Sequence, residues 1–409
     1  MCLALILLRV SVTCRYAKMA DQHMRIYLDH NATTPIHPAA AEATMCALRD
    51  LFGNASSVHY YGQQAKAALD VARSATAALI GAEPSEIIFT SGGTESDNFA
   101  IRGAAEALET AGRKHLITSG IEHEAVINTF KALARRGWKT TLLPLDATGI
   151  VSPDRLLEVM ADDTALVSIM HANNEIGTIQ PIAELAQIAH ARGALFHTDA
   201  VQSAGKIPVS VRALGVDLLS LSGHKFYGPK GSGLLWARRG VRLSPFLSGG
   251  KQERNRRAGT ENVPGLIGMG VAAEHALNTM PAESARLTLL RDRLEQGILA
   301  AVPHTDVNGA RMPRVPNTTN ISFERIEAES LLIALDLEGV AVSTGSACSS
   351  GTLEPSHVLK AMGLSSHRAQ NSIRFSLGAG NTEEHIDHVI AVLPQIVTKL
   401  RSLSAVGSR

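Results

Sequence analysis

The sequence predicts an α/β protein with a large domain on a mainly parallel sheet covered by helices and a smaller α+β domain at the C-terminal end. Three observations predict it. From Asp70 onward, short apolar runs alternate with helical patterns. That alternation changes character after about Met280. The 409 residues also exceed what one compact core accommodates.

The elements follow in order. Met1 to Val10 is apolar, but Leu3 to Leu8 is far short of a membrane span of ~20 residues. No basic stretch precedes it, so it makes a poor secretory signal. Residues 1–23 are therefore expected to be a loose N-terminal extension. Arg25-Ile26-Tyr27-Leu28 is the first strand-like run. Glu86 to Thr90 reads as a buried strand, with further strands expected at His115–Thr118, Ala165–Met170, Ala194–His197 and Leu218–Leu221. Helical stretches lie between them, Asn98–Leu108 and Ile182–Arg192 among them. Gly231-Ser232-Gly233 turns the chain into one more strand, Leu234–Ala237. Near-continuous apolar strands of this kind are buried on both faces, as in parallel sheets. Beyond Met280 a helix is expected over Ala282–Ala301, strands at Asn320–Phe323 and Ser372–Phe375, and a closing amphipathic helix over Thr382–Leu403. Asn381-Thr382-Glu383-Glu384 supplies that last helix with a cap and acids at its positive end. The predicted division is a large domain, 35–279, and a small domain formed by 24–34 with 280–409.

Composition excludes several classes. Lys and Arg total 39 against 38 Asp and Glu, with no long run of one sign, so nothing electrostatic argues for nucleic acid or a membrane surface. The four cysteines, Cys2, Cys14, Cys46 and Cys348, show no C-x-x-C spacing, so neither an intrinsic metal site nor a disulfide framework is expected. A reducing, cytoplasmic setting follows. Cys46, in the apolar run Ala43 to Leu48, reads as a core thiol. Cys348 sits among ten small or polar residues, Ser343 to Thr352, which predict an exposed loop.

Two constellations carry chemistry. Thr90-Ser91-Gly92-Gly93-Thr94-Glu95-Ser96 joins a buried strand to a helix. Free N–H groups at such a turn make a phosphate cradle, to which Thr94 adds a hydroxyl; a plain tight turn is the bland alternative. His197-Thr198-Asp199 and Ser222-Gly223-His224-Lys225 each end a strand, which places Asp199 and Lys225 where parallel sheets bind ligands. Pyridoxal phosphate needs such a pair: an amine for the Schiff base and a carboxylate that keeps the ring nitrogen protonated. A structural ion pair is the competing reading, and the phosphate-type turn upstream weighs against it.

The string Ser222-Gly223-His224-Lys225, with Gly228-Pro229-Lys230-Gly231 after it, resembles the NifS/IscS-type cysteine desulfurases, class-V pyridoxal-phosphate enzymes of fold type I. The resemblance extends to Tyr27–Thr34, Gly93–Ser96, His171–Gly177, Arg257–Asn262, Gly345–Cys348 and Ser372–Ser376, and spans Met24 to about Leu403. It implies that Lys225 carries the cofactor, Asp199 pairs with the ring nitrogen and Gln202 bonds the ring oxygen. It further implies that His123 stacks on the ring and moves protons. Gly93, Thr94, Ser222 and His224 would hold the phosphate, Gly223 would belong to the cofactor-binding set, and Thr260 would reach the phosphate of a partner subunit in a homodimer. Asn174 would contact cofactor and substrate, and Arg374 would clamp the carboxylate of L-cysteine. Cys348 would take the sulfur as a persulfide and pass it to an iron–sulfur scaffold or another acceptor, ligating a nascent cluster at most in passing. A selenocysteine lyase, a tRNA-thiolation sulfur donor and a class-V aminotransferase are the rivals, and the Cys348 loop argues against the last.

Overall fold

The computed structural model describes residues 24–309, 313–345 and 355–407. The expected extension 1–23, with Cys2 and Cys14, and the segment bearing Cys348 lie outside the described residues.

Strand β1 (Ile26–Tyr27) opens the described chain, followed by helices α1 (Pro38–Asp50) and α2 (Tyr60–Leu79). Next come β2 (Ile87–Thr90), α3 (Gly93–Glu109), β3 (His115–Ser119), α4 (Glu124–Ala134), β4 (Lys139–Leu143), α5 (Pro153–Val159), β5 (Thr164–Ser168), α6 (Ile182–Ala191), β6 (Leu195–Asp199), β7 (Leu218–Ser222) and β8 (Gly233–Ala237). Strands β2 to β8 form one seven-stranded sheet in the order β2-β8-β7-β6-β5-β3-β4. Four neighbouring pairs are parallel, and β8 runs antiparallel to both of its neighbours. The sheet is therefore mainly parallel, as the sequence predicts, with one reversed strand. Strands β3, β5, β7 and β8 are buried along their whole length, which accounts for their apolar runs.

The long helix α7 (Val263–Ala301) leads out of this layer into β9 (Thr305–Val307), β10 (Thr318–Phe323), α8 (Ala328–Leu337), β11 (Val340–Ala341), α9 (His357–Ala361), α10 (Ser366–Gln370), β12 (Ser372–Ser376) and α11 (Glu383–Gly407). Here β12, β10 and β9 make an antiparallel sheet, while β1 pairs in parallel with β11. Asp29 bridges to Ser376, which joins the start of the chain to this second assembly.

Three expectations need correction. The helix expected to begin at Ala282 starts at Val263 and runs through Pro281 without a break. Its first half holds Gly265, Gly268 and Gly270, residues of low helix propensity. Two of those glycines are what allow the packing. A Cβ on Gly268 would lie 2.1 Å from Thr44 Oγ1 on α1, and one on Gly270 would lie 2.7 Å from Ala72 Cα on α2. Secondly, β4 escapes the sequence reading because it is a half-exposed edge strand, Lys-Thr-Thr-Leu-Leu, with no apolar run. Thirdly, Cys46 is not in the core. It is part-buried on α1, and its thiol donates to Glu42 Oε1 at 3.3 Å.

Helix α7 is shared by two hydrophobic cores. Val263, Leu266, Met269, Ala272, Ala273 and Ala276 pack with the large sheet and α2. Leu287, Leu290, Leu294 and Ile298 pack with β1, β10, β12, α8 and α11. Leu294 is fully buried. Leu294→Ala is expected to lower the free energy of unfolding by about 2–5 kcal/mol through the cavity it leaves, read from urea denaturation curves.

Candidate active site

The site lies at the carboxyl ends of β6 and β7, the position that parallel sheets offer to ligands. Asp199 is the last residue of β6. It is buried, and its Oδ1 accepts from Val201 N at 2.8 Å. Burial raises its pKa, while the Val201 N–H and the nearby His123 and Lys225 charges act in the opposite sense. Lys225 closes the short helical turn Gly223–Lys225 that follows β7. Its Nζ donates to the carbonyls of Asn31 at 2.6 Å and Ala32 at 2.7 Å. Burial, with the Arg374 guanidinium as the next cause, brings its ammonium down to about 8. That gives this lysine a larger neutral fraction at physiological pH than an ordinary one has.

The glycine-rich turn is beside them. Helix α3 begins at Gly93, earlier than the expected Asn98, so the first turn of the helix is itself the turn sequence. A Cβ on Gly93 would lie 3.0 Å from Val201 Cγ2 and 3.6 Å from Ser222 Cβ. The ends of β2, β6 and β7 therefore converge on one point, where the N-terminal N–H groups of α3 are free to bind an anion. Ser222 is buried there, Thr94 is exposed, and Gly223 N donates to Ser232 O. His224 Nδ1 lies 3.0 Å from Thr33 Oγ1, and burial lowers its pKa to about 4, so the ring is neutral at pH 7. His123 caps α4, with Nδ1 accepting from Ala125 N at 3.1 Å. Its ring is exposed and lines an open groove with Thr94, Asn98 and Arg102.

Arg374, on β12 of the second assembly, is 4% exposed. Its Nη2 pairs with Asp29 at 2.6 Å and its Nη1 donates to Asn174 O at 3.0 Å, while Nε is buried without a partner. A guanidinium held on two sides with a donor to spare suits a carboxylate ligand. Thr260 is exposed. Its segment is tied to the α3 turn through Arg257, which pairs with Glu95 at 2.8 Å.

Sequence reasoning missed four residues that the structure brings into this centre. Asn31 accepts Lys225 and Gln202 on its carbonyl, donates to Asn174 O and Thr318 Oγ1, and receives Lys206 and Asn317 on Oδ1. Asp29 neutralises Arg374. Lys206 shares an enclosed cavity with His30, Lys225 and Tyr227. Asp97 lies buried where burial and the neighbouring Asp199 raise its pKa well above the carboxylate range. Asn31 and Asp29 stand in the Tyr27–Thr34 string, which was the available signal. Cys348 lies outside the described residues. The residues that flank its segment meet at one carboxyl: Ser356 Oγ donates to Glu175 Oε2 at 2.5 Å, and a Cβ on Gly345 would lie 3.0 Å from the same oxygen.

Residues 26–389 match the aminotransferase class-V family. The chain belongs to that family, among its NifS/IscS-type cysteine desulfurases. It is 52% identical over 379 residues to the cysteine desulfurase IscS of Dictyoglomus turgidum, covering 93% of this chain and 96% of that protein. It is 50% identical over 391 residues to the cysteine desulfurase IscS of Methanosarcina thermophila, covering 96% of each. Among solved structures, a NifS-like protein superposes with a TM-score of 0.86 at 38% identity, covering 92% of this chain and all of the other.

The turn that positions Gly92 and Gly93 depends on a close approach by β8. A Cβ on Gly233 would lie 2.5 Å from Gly92 Cα, backbone against backbone. Gly233→Ala is expected to cost about 1–3 kcal/mol of stability by overpacking. Gly380→Ala, with nothing within 4 Å of the added atom, is expected to stay within about 0.5 kcal/mol. Thermal melts of the two variants side by side check the difference.

Proposed function

We propose that this chain is a pyridoxal-phosphate-dependent cysteine desulfurase, a sulfurtransferase that converts L-cysteine to L-alanine and carries the sulfur as a persulfide on Cys348. The single observation that carries the reading is the convergence of Lys225, Asp199 and the Gly92–Gly93 turn at adjacent strand ends. The donor set fits the cofactor. An amine lies among carbonyl acceptors, a buried carboxylate stands nearby, and a bundle of N–H groups sits at a helix start.

When bound, pyridoxal phosphate supplies an electron sink for the substrate's α-carbon. The chain's residues do the rest. Asp199 would pair with the ring nitrogen, Gln202 would donate to the ring oxygen, and His123 would cover the ring. Gly93, Thr94, Ser222 and His224 would take the phosphate, with Thr260 serving that of the partner. Arg374 takes the substrate carboxylate while Asp29 balances its charge, and Asn174 fixes the Arg374 fork from the other side. Lys225 would hold the cofactor through its Nζ, and as a free amine it would take the substrate's α-proton. The thiolate of Cys348 attacks the substrate sulfur. The C–S bond breaks, the carbon takes up protons, and alanine leaves with the sulfur retained as Cys348–S–SH. A free thiol titrates near ~8.5, so a neighbouring base such as His123 assists at neutral pH.

The reading treats residues 35–279 as the cofactor domain and 24–34 with 280–409 as the small domain bearing Arg374 and Cys348; the two hydrophobic cores meeting on α7 support it. It makes the protein a homodimer. The apolar surface of Met45, Leu48, Phe52, Val58, Tyr60 and Tyr61, exposed around α1 and the start of α2, supports that. It assigns the enzyme to the cytoplasm, where it passes sulfur to an acceptor protein for iron–sulfur cluster assembly. Among the described residues no helix is long and apolar enough to cross a membrane.

Two variants test the core of this. Lys225→Ala is expected to lose both the yellow colour and turnover. Cys348→Ser is expected to keep the colour and lose sulfide release; full activity in Cys348→Ser would remove the persulfide from the mechanism. The Lys225 environment gives a pH test. Uptake of the cofactor needs the neutral amine, which is the form above the pKa. The initial rate of colour development on adding pyridoxal phosphate to cofactor-free protein should rise about tenfold per unit at low pH. It should level off above about 8, where an ordinary lysine would keep gaining up to about 10.

A further inference from the structure

We propose that Lys206 is a positioning residue: it sets which end of the Gln202 amide faces the cofactor ring. The inference rests on the pyridoxal-phosphate reading above.

Gln202 and Lys206 lie one turn apart on the run of turns after β6, in which Ala204 N bonds Ala200 O and Lys206 N bonds Ser203 O. Both side chains converge on Asn31. Lys206 Nζ donates to Gln202 Oε1 at 2.7 Å and to Asn31 Oδ1 at 3.0 Å. Gln202 Nε2 donates to Asn31 O at 2.9 Å, the carbonyl that also takes Lys225. Turning the Gln202 amide over would set its NH2 against the ammonium and its oxygen against the Asn31 carbonyl oxygen. Two hydrogen bonds would become two repulsions. Were Lys206 a neutral amine, the clash between Gln202 Oε1 and the Asn31 carbonyl would remain.

The Asn31 side chain that holds Lys206 is itself fixed. Its Nδ2 is spent on Asn174 O and Thr318 Oγ1, and its Oδ1 also receives Asn317 Nδ2 at 3.1 Å. Lys206 therefore leaves Gln202, 5% exposed, with one N–H committed to Asn31 and the other to present to the cavity. The ring oxygen of the cofactor is an anionic acceptor that matches it, whereas a reversed amide would repel that oxygen. The charged groups facing Lys206 are Lys225 and Arg374, with His30 across the cavity; Asp199 and Asp29 are the acids acting on Lys225.

A donor on the ring oxygen withdraws electron density from it. The oxygen then holds the proton on the adjacent Schiff-base nitrogen less tightly, and that proton leaves at lower pH. The test is the visible spectrum of the full-length, cofactor-loaded protein titrated with base. Gln202→Leu should raise the midpoint of the spectral change by about one pH unit, and an unmoved midpoint there would overturn the proposal whatever Lys206 variants do. Lys206→Met, which leaves the Asn31 carbonyl as the remaining constraint on the amide, should produce a smaller rise in the same direction, and Lys206→Gln, whose amide N–H can again donate to Gln202 Oε1, should bring the midpoint part of the way back. In the Gln202→Leu background, Lys206→Met should move nothing. An equal shift with and without Gln202 means that Lys206 does not act through the amide, and the proposal fails while the functional reading stands. Wild-type protein that takes up no pyridoxal phosphate would instead sink that reading, and this inference with it.

Discussion

The centre of this protein is organised by a short segment, Asp29 to Thr34, that turns at His30–Ala32 and lies where strands of the two assemblies meet. Its backbone carbonyls at Asn31 and Ala32 hold the Lys225 amine, and its Asn31 side chain ties β10 to the large domain's turns. Thr34 continues the clamp. Its Oγ1 donates to His224 O, and it accepts from Tyr227 N. Tyr227 sits at φ 68°, a left-handed conformation that is costly for an aromatic residue. Three contacts hold it there, the third being Ala379 N to its hydroxyl. The Lys225 amine is thus mounted on backbone fixed from several directions.

Electrostatics and geometry reinforce each other around that mount. Arg374, Lys206 and Lys225 are brought into one partly dry region, where burial lowers the pKa of both lysines, the Lys225 and Arg374 charges lower that of Lys206 further, and Arg374 adds to the lowering of Lys225. Asp29, paired with Arg374, and Asp199, at the end of β6, offset them. Buried charges are tolerated when they are paired and hydrogen-bonded, and the centre meets that condition through residues from both ends of the chain. Deeper in, Asp97, Glu122 and Glu175 are buried acids whose pKa values burial raises, with Glu122 reaching about 8. They surround the catalytic groups with carboxyls that shed their charge readily.

How much of this was legible beforehand follows from physical range. The buried strands β3, β5, β7 and β8 announce themselves because an apolar run is a local signal, and so are Asp199 and Lys225 at strand ends. The half-exposed edge strand β4 carries no such run. Helix α7 was legible only in its second half, since the glycines of the first half read as breakers until α1 and α2 are seen pressing against them. Asn31, Asp29 and Lys206 were not assigned roles because what defines them is contact with residues 171, 345 and 175 positions away. No spacing rule reports contacts of that separation. Cys46 misled for the converse reason: an apolar neighbourhood in sequence, Met45 and Leu48 included, turned out to face outward.

The unbroken passage of α7 from one core to the other has a consequence for how such a sequence can drift. Each residue of a helix advances the side-chain direction by about 100°. Losing or gaining one residue between Ala276 and Leu287 would rotate Leu287, Leu290, Leu294 and Ile298 together, off their own core, while the glycine face stayed seated on α1 and α2. Substitutions in that ten-residue span are cheap by comparison, and changes of length there are not. The span acts as a fixed gear between the lysine side and the arginine side of the catalytic centre, and its length is a quantity that selection has reason to count.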